Sequence, residues 1–273
     1  MVSRALGVCS WSLRPSGPEQ LVERVRAAGL AAVQLDLTPL ADDETAWRDT
    51  AAVLRDSGVR VTSGMMRPRG EDYSSIARIR ETGGVRSDRL WTENQRLASR
   101  VADVAARLGI GLVTFHGGFI PHAHGDPLRA TMIDRLRVTI DLFAGEGVQV
   151  ALETGQESAA CLLEALAEID RPRAGVNFDP ANMLLYGAGD PLEAFHLLRA
   201  WVRQVHAKDA VGSGQLDVWG HETPVGAGAV RWDAFMAGVR ELPAAVAVVI
   251  EREGGERRVQ EVASARAFLQ PML

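Results

Sequence analysis

Eight short apolar runs recur along the 273-residue chain, and a segment with helical periodicity follows each of them. Most of the runs are rich in β-branched residues and are bounded by Gly or Pro, which is typical of strands buried on both faces. Because a helix-length segment separates each run from the next, every connection is a crossover and the sheet is predicted to be parallel. The predicted strands are 5–9, 32–36, 59–62, 112–115, 148–152, 174–178, 203–206 and 245–250.

Eight strand–helix units in a chain of this length favour a single (β/α)8 TIM barrel, which typically has about 250 residues. A doubly wound sheet is the alternative, and its dinucleotide-binding form needs a glycine-rich turn after the first strand. The turn here reads CSWSLRPSGPEQ, which lacks that pattern. We therefore predict one α/β barrel domain, residues 1–273, with its active site at the carboxyl ends of the strands.

Composition limits the partners and the compartment. The net charge is −5 and no block of Lys or Arg occurs, so no nucleic-acid partner is expected. No apolar stretch reaches the length of a membrane span, and the N-terminal apolar run is too short for a signal peptide. Cys9 and Cys161 have no metal or redox spacing and are interpreted as buried thiols. We expect a cytoplasmic protein without a membrane partner; assembly into a homo-oligomer stays open.

Polar residues at the strand ends are the candidates for chemistry. In VNFDPANMLLYG, Asp179 follows the sixth strand and precedes a proline, which stops the strand, so the carboxylate should point into the loop region. Glu153 closes the fifth strand, His206 the seventh and Glu251 the eighth. Four successive strands therefore deliver these side chains to one rim of the predicted barrel.

Three converging carboxylates would raise one another's pKa values unless a cation lay among them. Two glutamates, an aspartate and a neutral imidazole suit Mn²⁺, Mg²⁺, Co²⁺ or Zn²⁺, and the lack of thiolates is unlike a structural zinc site. The sequence therefore predicts one divalent metal ion bound by Glu153, Asp179, His206 and Glu251. The alternative, that each acid is a rim residue paired with Lys or Arg, is weaker for four acids and bases in register than for one.

Six motifs carry a family resemblance: FHGG, ALETGQE, NFDPANMLLYG, VHAKDA, PVGAGAVRW and VVIERE. In this order and spacing they resemble the xylose-isomerase-like superfamily of sugar isomerases and epimerases, which includes D-tagatose 3-epimerase, hydroxypyruvate isomerase and inosose dehydratase. The resemblance covers nearly the whole chain. It implies that the same four residues bind the metal and that the two glutamates, Glu153 and Glu251, are also the catalytic acid–base pair.

The chemistry of these residues agrees with that implication. A metal that chelates the carbonyl and the adjacent hydroxyl of a ketose acidifies the C–H between them and stabilises the enediolate. Glu153 and Glu251 can flank such a substrate, one removing the proton and the other returning it. We predict a metal-dependent isomerase or epimerase of a sugar, a sugar phosphate or a related polyol ketone. The alternatives are a dehydratase or lyase on a keto-polyol and, from another class, a non-catalytic sugar-binding subunit.

Further residues near the strand ends are predicted substrate contacts: Trp11, His116, Glu157, Asn182 and Lys208. Glu157 stands where the family places a substrate contact, and Asn182 where its epimerase members carry a substrate-binding His. Those epimerases also carry a substrate-binding Arg after the seventh strand, and no Arg occurs here between residues 206 and 231. Asp209 is predicted to orient His206 from behind the metal.

Residues 67–91, after the third strand, form an unusually long connection and are predicted to be a lid, because long loops in compact domains are often lids or binding loops. Its candidate substrate contacts are Arg67, Arg69, Tyr73 and Trp91. The polar loop VGSGQLDVWGHET after the seventh strand is a second segment that could fold over the site.

Overall fold

A computed structural model describes residues 4–273 and shows a closed barrel of eight parallel strands. All eight predicted strands are present, with bounds that differ from the prediction by three residues at most. A small antiparallel hairpin of two further strands, β8 and β9, lies outside the barrel. The strands are β1 (Leu6–Cys9), β2 (Ala32–Asp36), β3 (Arg60–Met65), β4 (Leu112–Phe115), β5 (Gln149–Glu153), β6 (Ala174–Phe178), β7 (Val202–Ala207), β8 (Asp209–Val211), β9 (His221–Thr223) and β10 (Ala247–Ile250).

The strands follow one another around the barrel in the order β1-β2-β3-β4-β5-β6-β7-β10, and β10 closes the barrel on β1. Every barrel pairing is parallel, so the carboxyl ends of all eight strands lie at the same rim. The register pairs Glu153 with Asn177 and His206 with Val249. Because every pairing is parallel, β5, β6, β7 and β10 all present their carboxyl ends to this rim, which is what a shared site requires.

Helices surround the barrel, and those predicted from sequence are present. Four of them begin with a proline. Proline has no backbone N–H, but the N–H groups of a first helical turn have no acceptor within the helix, so no hydrogen bond is lost there. Helix α3 ends at Gly58, which adopts the left-handed conformation with φ 70° that favours glycine at this position. The helices are α1 (Pro18–Ala27), α2 (Thr38–Ala41), α3 (Thr50–Ser57), α4 (Ile76–Thr82), α5 (Asp88–Arg107), α6 (Pro127–Gly145), α7 (Ala159–Ile169), α8 (Pro180–Leu185), α9 (Pro191–Leu198), α10 (Trp232–Arg240) and α11 (Arg258–Leu269).

Apolar side chains fill the layer between the barrel and the helices. Phe178 of β6 packs edge-on against Phe195 of α9, with ring centroids 5.2 Å apart, and Phe195 packs at the same distance on Phe235 of α10. All three are essentially inaccessible to solvent. Truncating a buried Phe to Ala typically costs about 3–5 kcal/mol, so this cluster fixes the sixth strand against two helices.

The interior of the barrel is different, because polar side chains fill it beneath the rim. The members of this interior polar layer are fully buried and hydrogen-bonded to one another: Gln34, Ser63, Thr114, Asn177 and Gln204. Buried polar groups are stable only when they are satisfied in this way. The layer forms the floor on which the rim residues stand.

The long connection between β7 and α10 departs from the sequence prediction. It contains the β8–β9 hairpin, in which Asp209, Ala210 and Val211 pair with Thr223, Glu222 and His221.

Within residues 4–273 no helix is long and apolar enough to cross a bilayer.

Candidate metal centre

Four strand ends bring the predicted metal ligands together. Glu153 is the last residue of β5, Asp179 follows β6, His206 lies near the end of β7 and Glu251 follows β10. One ligand atom from each of the four lies within 4.8 Å of the others, and all four side chains are buried. The parallel barrel thus produces the predicted convergence.

The spacing of these atoms is that of ligands around one ion. His206 Nδ1 lies 3.4 Å from Glu153 Oε1 and 3.4 Å from Glu251 Oε2. It lies 3.7 Å from Asp179 Oδ2. With metal–ligand bonds of about 2.1 Å, adjacent ligands are about 3.0 Å apart in an octahedron and about 3.4 Å apart in a tetrahedron. The four side chains therefore need little adjustment to hold a divalent cation.

Asp179 divides its two oxygens between the fold and the site. Oδ1 accepts hydrogen bonds from the backbone N–H groups of Ala181 and Asn182, at 2.8 and 2.9 Å, and so caps α8. Among residues 4–273, Oδ2 has no hydrogen-bond partner, and it is buried. A buried carboxylate oxygen in that state is costly, and it lies 3.7 Å from His206 Nδ1, which likewise has no partner within the described residues. A cation between them satisfies both atoms.

The orientation of His206 is set by Gln34 of β2. Gln34 Nε2 donates to Thr114 Oγ1 at 2.8 Å and to the Gly64 carbonyl at 3.3 Å. Because a carbonyl only accepts, this contact fixes which end of the amide is oxygen, and Gln34 Oε1 lies 2.7 Å from His206 Nε2. Asn177 Nδ2 also lies 3.1 Å from Nε2. With Nε2 donating to the nearer Gln34 oxygen, the Nδ1 lone pair is left for a metal.

Both glutamates are held in the ionised form. Burial raises the pKa of Glu251, but Lys208 and His206 outweigh it and hold that pKa well below its usual range. Burial also opposes ionisation of Glu153, and His206 and His116 lower its pKa below the usual value. Ionised carboxylates can bind a cation and accept a proton.

The same field acts on the other two ligands. Burial alone would lower the pKa of His206, but the anionic groups around it raise that pKa well above its usual value. Burial raises the pKa of Asp179 to about 6. The cluster is therefore short of positive charge at its centre, and a divalent ion supplies it more fully than a single proton does. The donor set fits a resident cation.

A cavity of about 640 Å³ opens directly above this cluster; we call it the inner cavity. Its walls include two of the predicted ligands, Glu153 and Glu251. Four of the five predicted substrate contacts also line it, namely Trp11, His116, Asn182 and Lys208. A volume of this size is in the range of small-molecule sites.

These contacts also hold the glutamates in place. The Trp11 indole N–H donates to Glu251 Oε1 at 2.7 Å, and Lys208 Nζ donates to Glu251 Oε2 at 3.1 Å. Asn182 Nδ2 donates to Glu153 Oε1 at 2.9 Å. Each carboxylate is thus aimed by hydrogen bonds from the residues that line the cavity around it.

Glu157 is placed differently from the prediction. It does not line the inner cavity but a neighbouring one of about 690 Å³, the outer cavity, whose walls include Phe119, Gln156, Glu157 and Tyr186. Burial raises the pKa of Glu157 to about 8. Glu157 thus lies apart from the other predicted substrate contacts because Gly155, in the turn after β5, adopts φ 126° and redirects the chain.

Asp209 also has partners other than the expected one. Its carboxylate accepts hydrogen bonds from the backbone N–H groups of Gly226, Gly228 and Val230 and from the Trp232 indole N–H. Asp209 therefore anchors the connection between β9 and α10. His206 Nε2 instead contacts Gln34 on β2 and Asn177 on β6.

A protein-family model described as xylose isomerase-like TIM barrel matches residues 22–272. The chain belongs to this family. The match includes every residue of the candidate metal centre.

Two proteins of known structure or function are similar to the chain in sequence. A 3-dehydroshikimate dehydratase from Bacillus anthracis is 30% identical over 129 residues, which is 41% of this chain and 46% of the dehydratase, so the match spans about half of that relative. A xylose isomerase domain protein from Planctomyces limnophilus has 28% identity and a TM-score of 0.82, covering 92% of this chain and 90% of the other.

Two more distant structures share the fold. A xylose isomerase-like barrel from Mycobacterium smegmatis, solved in complex with magnesium, has 16% identity and a TM-score of 0.72, with 100% and 98% of the two chains covered. D-allulose 3-epimerase from Methylomonas sp. has 15% identity and a TM-score of 0.74, with 100% and 99% covered. The Bacillus anthracis relative is thus a dehydratase, and the Methylomonas protein that shares the fold is an epimerase.

The segment predicted to be a lid lies at the mouth of the barrel. It contains α4, and Arg67 and Tyr73 line the inner cavity as expected. Arg69 instead pairs with Asp42. Trp91 lies in α5, and the Arg135 guanidinium carbon lies 5.3 Å from the centroid of its ring. Trp91 is not among the residues that line either cavity.

The inner cavity is also lined by two acids that the sequence analysis does not predict, Glu71 and Glu253. Glu71 accepts the Gly84 N–H at 2.9 Å and the Tyr73 hydroxyl at 3.2 Å, and burial raises its pKa. Glu253 accepts from Lys208 Nζ at 2.5 Å. Glu253 had a sequence signal, since it lies two residues beyond Glu251 at the end of the same strand. Glu71 had none, because its position depends on the path of the lid segment.

Proposed function

We propose that the protein is a divalent-metal-dependent isomerase or epimerase that acts on a sugar, a sugar phosphate or a related polyol ketone by proton transfer. One observation carries the proposal: Glu153 and Glu251 reach the same buried ligand cluster from strands three apart in the barrel and both face the inner cavity. Two ionised carboxylates on different sides of one cavity are suited to remove a proton from one face of a carbon and return one to another.

Glu153, Asp179, His206 and Glu251 would hold the cation, for which Mn²⁺, Mg²⁺, Co²⁺ and Zn²⁺ are the candidates. Bound there, such an ion supplies electrophilic polarisation of a carbonyl, which acidifies the adjacent C–H. The magnesium complex of a distant structure with the same fold supports a resident cation of this type.

Glu251 is the proposed base on the side of the inner cavity where Trp11 lies. Its Oε1 is held by the Trp11 indole and its Oε2 by Lys208, so the carboxylate cannot rotate away from the cavity. When Glu251 takes up a proton from carbon, the adjacent Lys208 ammonium no longer has that full negative charge as a partner. Lys208 can then donate more strongly to a substrate oxygen, since its remaining partners are Glu253 and Asn182.

Glu153 serves the opposite side. Asn177 and Asn182 donate to its two oxygens, and His116 Nε2 lies 3.7 Å from Oε1. His116 Nδ1 is buried and has no partner among the described residues, so this imidazole nitrogen can bind a substrate hydroxyl. Glu153 and His116 together can therefore exchange a proton with a substrate held in the inner cavity.

A dehydratase or lyase acting on a keto-polyol is the second candidate, and Glu71 favours it. The carboxyl of Glu71 faces the inner cavity and burial raises its pKa, so it is the acid best placed to protonate a departing hydroxyl. In that reaction one glutamate removes the proton next to the carbonyl, the electron pair forms the C=C bond and the β-hydroxyl leaves as water. The 3-dehydroshikimate dehydratase relative supports this alternative.

One experiment tests the proposal. The metal-loaded protein is incubated in D₂O with a panel of ketoses, inositol ketones and keto acids, and deuterium at the α-carbon is followed by NMR. We expect exchange with epimer or isomer formation. Exchange with loss of water supports the dehydratase instead. Absence of exchange from every compound, with metal bound, contradicts both and leaves a sugar-binding subunit.

A further inference from the structure

The outer cavity is built from the same loops as the inner one. The loops after β3, β4, β5, β6 and β7 each give residues to both cavities. After β5, for example, Glu153 lines the inner cavity, and Gln156 and Glu157 line the outer one. Tyr186, after β6, lines both, so its side chain is the shared wall. A ligand longer than one ring could extend past Tyr186 from one cavity into the other.

Two buried side chains of the outer cavity have hydrogen-bonding atoms without partners in the part of the chain that the structure describes. Within residues 4–273, neither Nε2 nor Oε1 of Gln156 makes a hydrogen bond, and Glu157 Oε2 makes none. The Tyr186 hydroxyl faces the Gln156 amide, but not in a well-directed hydrogen bond. Gln156 is 4% exposed and Glu157 is 8% exposed, so solvent reaches them poorly. Unpartnered buried polar groups are destabilising unless a ligand satisfies them.

Most charged groups of this cavity have partners. Arg80 pairs with Asp217, Arg86 donates one hydrogen bond of 3.3 Å to a backbone carbonyl and Asp126 caps α6. Among the described residues Glu157 has no cation as a partner, and burial raises its pKa to about 8, so it is mostly neutral at neutral pH. The buried side chains left to bind a ligand are thus a carboxylic acid and an amide. They do not favour a phosphate or a carboxylate.

The walls suit a ring with hydroxyl groups. Phe119 and Tyr186 lie edge to face, with centroids 5.6 Å apart, and give the cavity an apolar surface. Gln156 and Glu157 each offer a donor and an acceptor, which is the pattern that adjacent hydroxyls require. The volume of about 690 Å³ holds a sugar ring with room for water.

We propose that the outer cavity binds a second sugar ring, so that the substrate is a glycoside whose reacting ring lies over the metal ligands. This inference rests on the proposed function in one respect, because it places the reacting carbons in the inner cavity. The class of substrate is then a disaccharide or a similar glycoside with a neutral second unit.

Binding of unreactive sugars to the metal-loaded protein tests the inference directly. Isothermal titration compares methyl α-D-glucopyranoside with maltose, cellobiose and trehalose, which add a second ring in three linkages. We expect at least one disaccharide to bind about 10-fold more tightly than the single ring, from two or more added neutral hydrogen bonds. If no disaccharide binds more tightly than methyl glucoside, the inference is wrong.

Variants of Glu157 locate the effect. Glu157→Leu should weaken binding of the preferred disaccharide about 10-fold and leave methyl glucoside unchanged, whereas Glu157→Gln should keep the preference because the amide can still donate and accept. Gln156→Leu is the second apolar variant if Glu157→Leu does not fold. Equal weakening of both ligands by the apolar variant would assign the residue a structural role and overturn the proposal.

Deuterium exchange separates this inference from the proposed function. A disaccharide preference that depends on Glu157, without α-carbon exchange on any compound, supports the second-ring site and rejects the proton-transfer reaction. Exchange on single-ring ketoses without any disaccharide preference keeps the reaction and rejects the second-ring site.

Discussion

Replacing Glu157 by Gln should make the protein more stable, and the gain should grow with pH. The carboxyl of Glu157 has a usual pKa of 4.5 and a pKa of about 8 in the folded protein, where burial disfavours its charge. Between these two values the folded protein keeps a proton that the unfolded chain has released. Wild-type stability therefore falls as pH rises through this window, while the Gln variant is neutral throughout.

The magnitude follows from linkage. One pKa unit corresponds to about 1.4 kcal/mol, so the buried carboxyl destabilises the fold by about 1 kcal/mol at pH 5 and by about 4 kcal/mol at pH 8. The difference in unfolding free energy between Glu157→Gln and wild type should therefore increase by about 3 kcal/mol over this range. Above pH 8 the difference should level off, because Glu157 is then ionised in both states.

Urea unfolding, followed by circular dichroism at pH 5, 6, 7 and 8 with the same metal content, measures this difference. Glu23→Gln is the matched control, since Glu23 is an exposed carboxyl on α1 and the substitution makes the same chemical change at the surface. Parallel stability curves for wild type and Glu157→Gln would refute the reasoning, because they would show that Glu157 ionises in the folded protein as it does in water.

Three further predictions concern the metal centre and the loop above it. Glu153→Gln and Glu251→Gln should lower α-carbon exchange about 10²–10⁴-fold even at saturating Mn²⁺, because an amide cannot accept the proton; His206→Gln should recover in part at high metal, and equal recovery of all three would leave the glutamates no proton-transfer role. Gln34→Leu should weaken metal binding about 10–100-fold in a competition assay with a chelator, because it removes the partner that fixes the imidazole; unchanged affinity would show that the Nε2 contact is dispensable. Asp209→Ala should lower the unfolding free energy by about 3 kcal/mol or more, since it leaves several buried N–H groups without an acceptor, while metal affinity in the folded protein stays unchanged; a loss of metal affinity instead would restore the predicted contact with His206.

The barrel and the convergence of its strand ends were predictable from sequence, because both follow from local periodicity and from one topological rule. Buried parallel strands read as apolar runs, and parallel connections place every carboxyl end at one rim. The position of Glu153, Asp179, His206 and Glu251 depends only on where each strand ends. Loop conformation does not enter.

The residues whose contacts the sequence did not predict owe their positions to the paths of the loops. Glu157 lies four residues beyond its strand, and the turn at Gly155 sends it into the outer cavity. Asp209 lies in a hairpin that no periodicity announced, and its partners come from residues 226–232. Glu71 reaches the inner cavity from the lid segment. In each case the contact is decided by tertiary packing across many residues, which a short sequence pattern does not encode.

The interior polar layer has a consequence for how this chain can change during evolution. In this layer Gln34 is hydrogen-bonded to Thr114, and Gln204 to Asn177. Gln34 also contacts His206 of the metal centre. A substitution at one position leaves a buried donor or acceptor elsewhere in the barrel without a partner. Single substitutions are therefore selected against, and paired substitutions are required. Relatives that diverge in substrate should therefore vary freely in the loops above the rim and exchange these interior residues only in compensating sets.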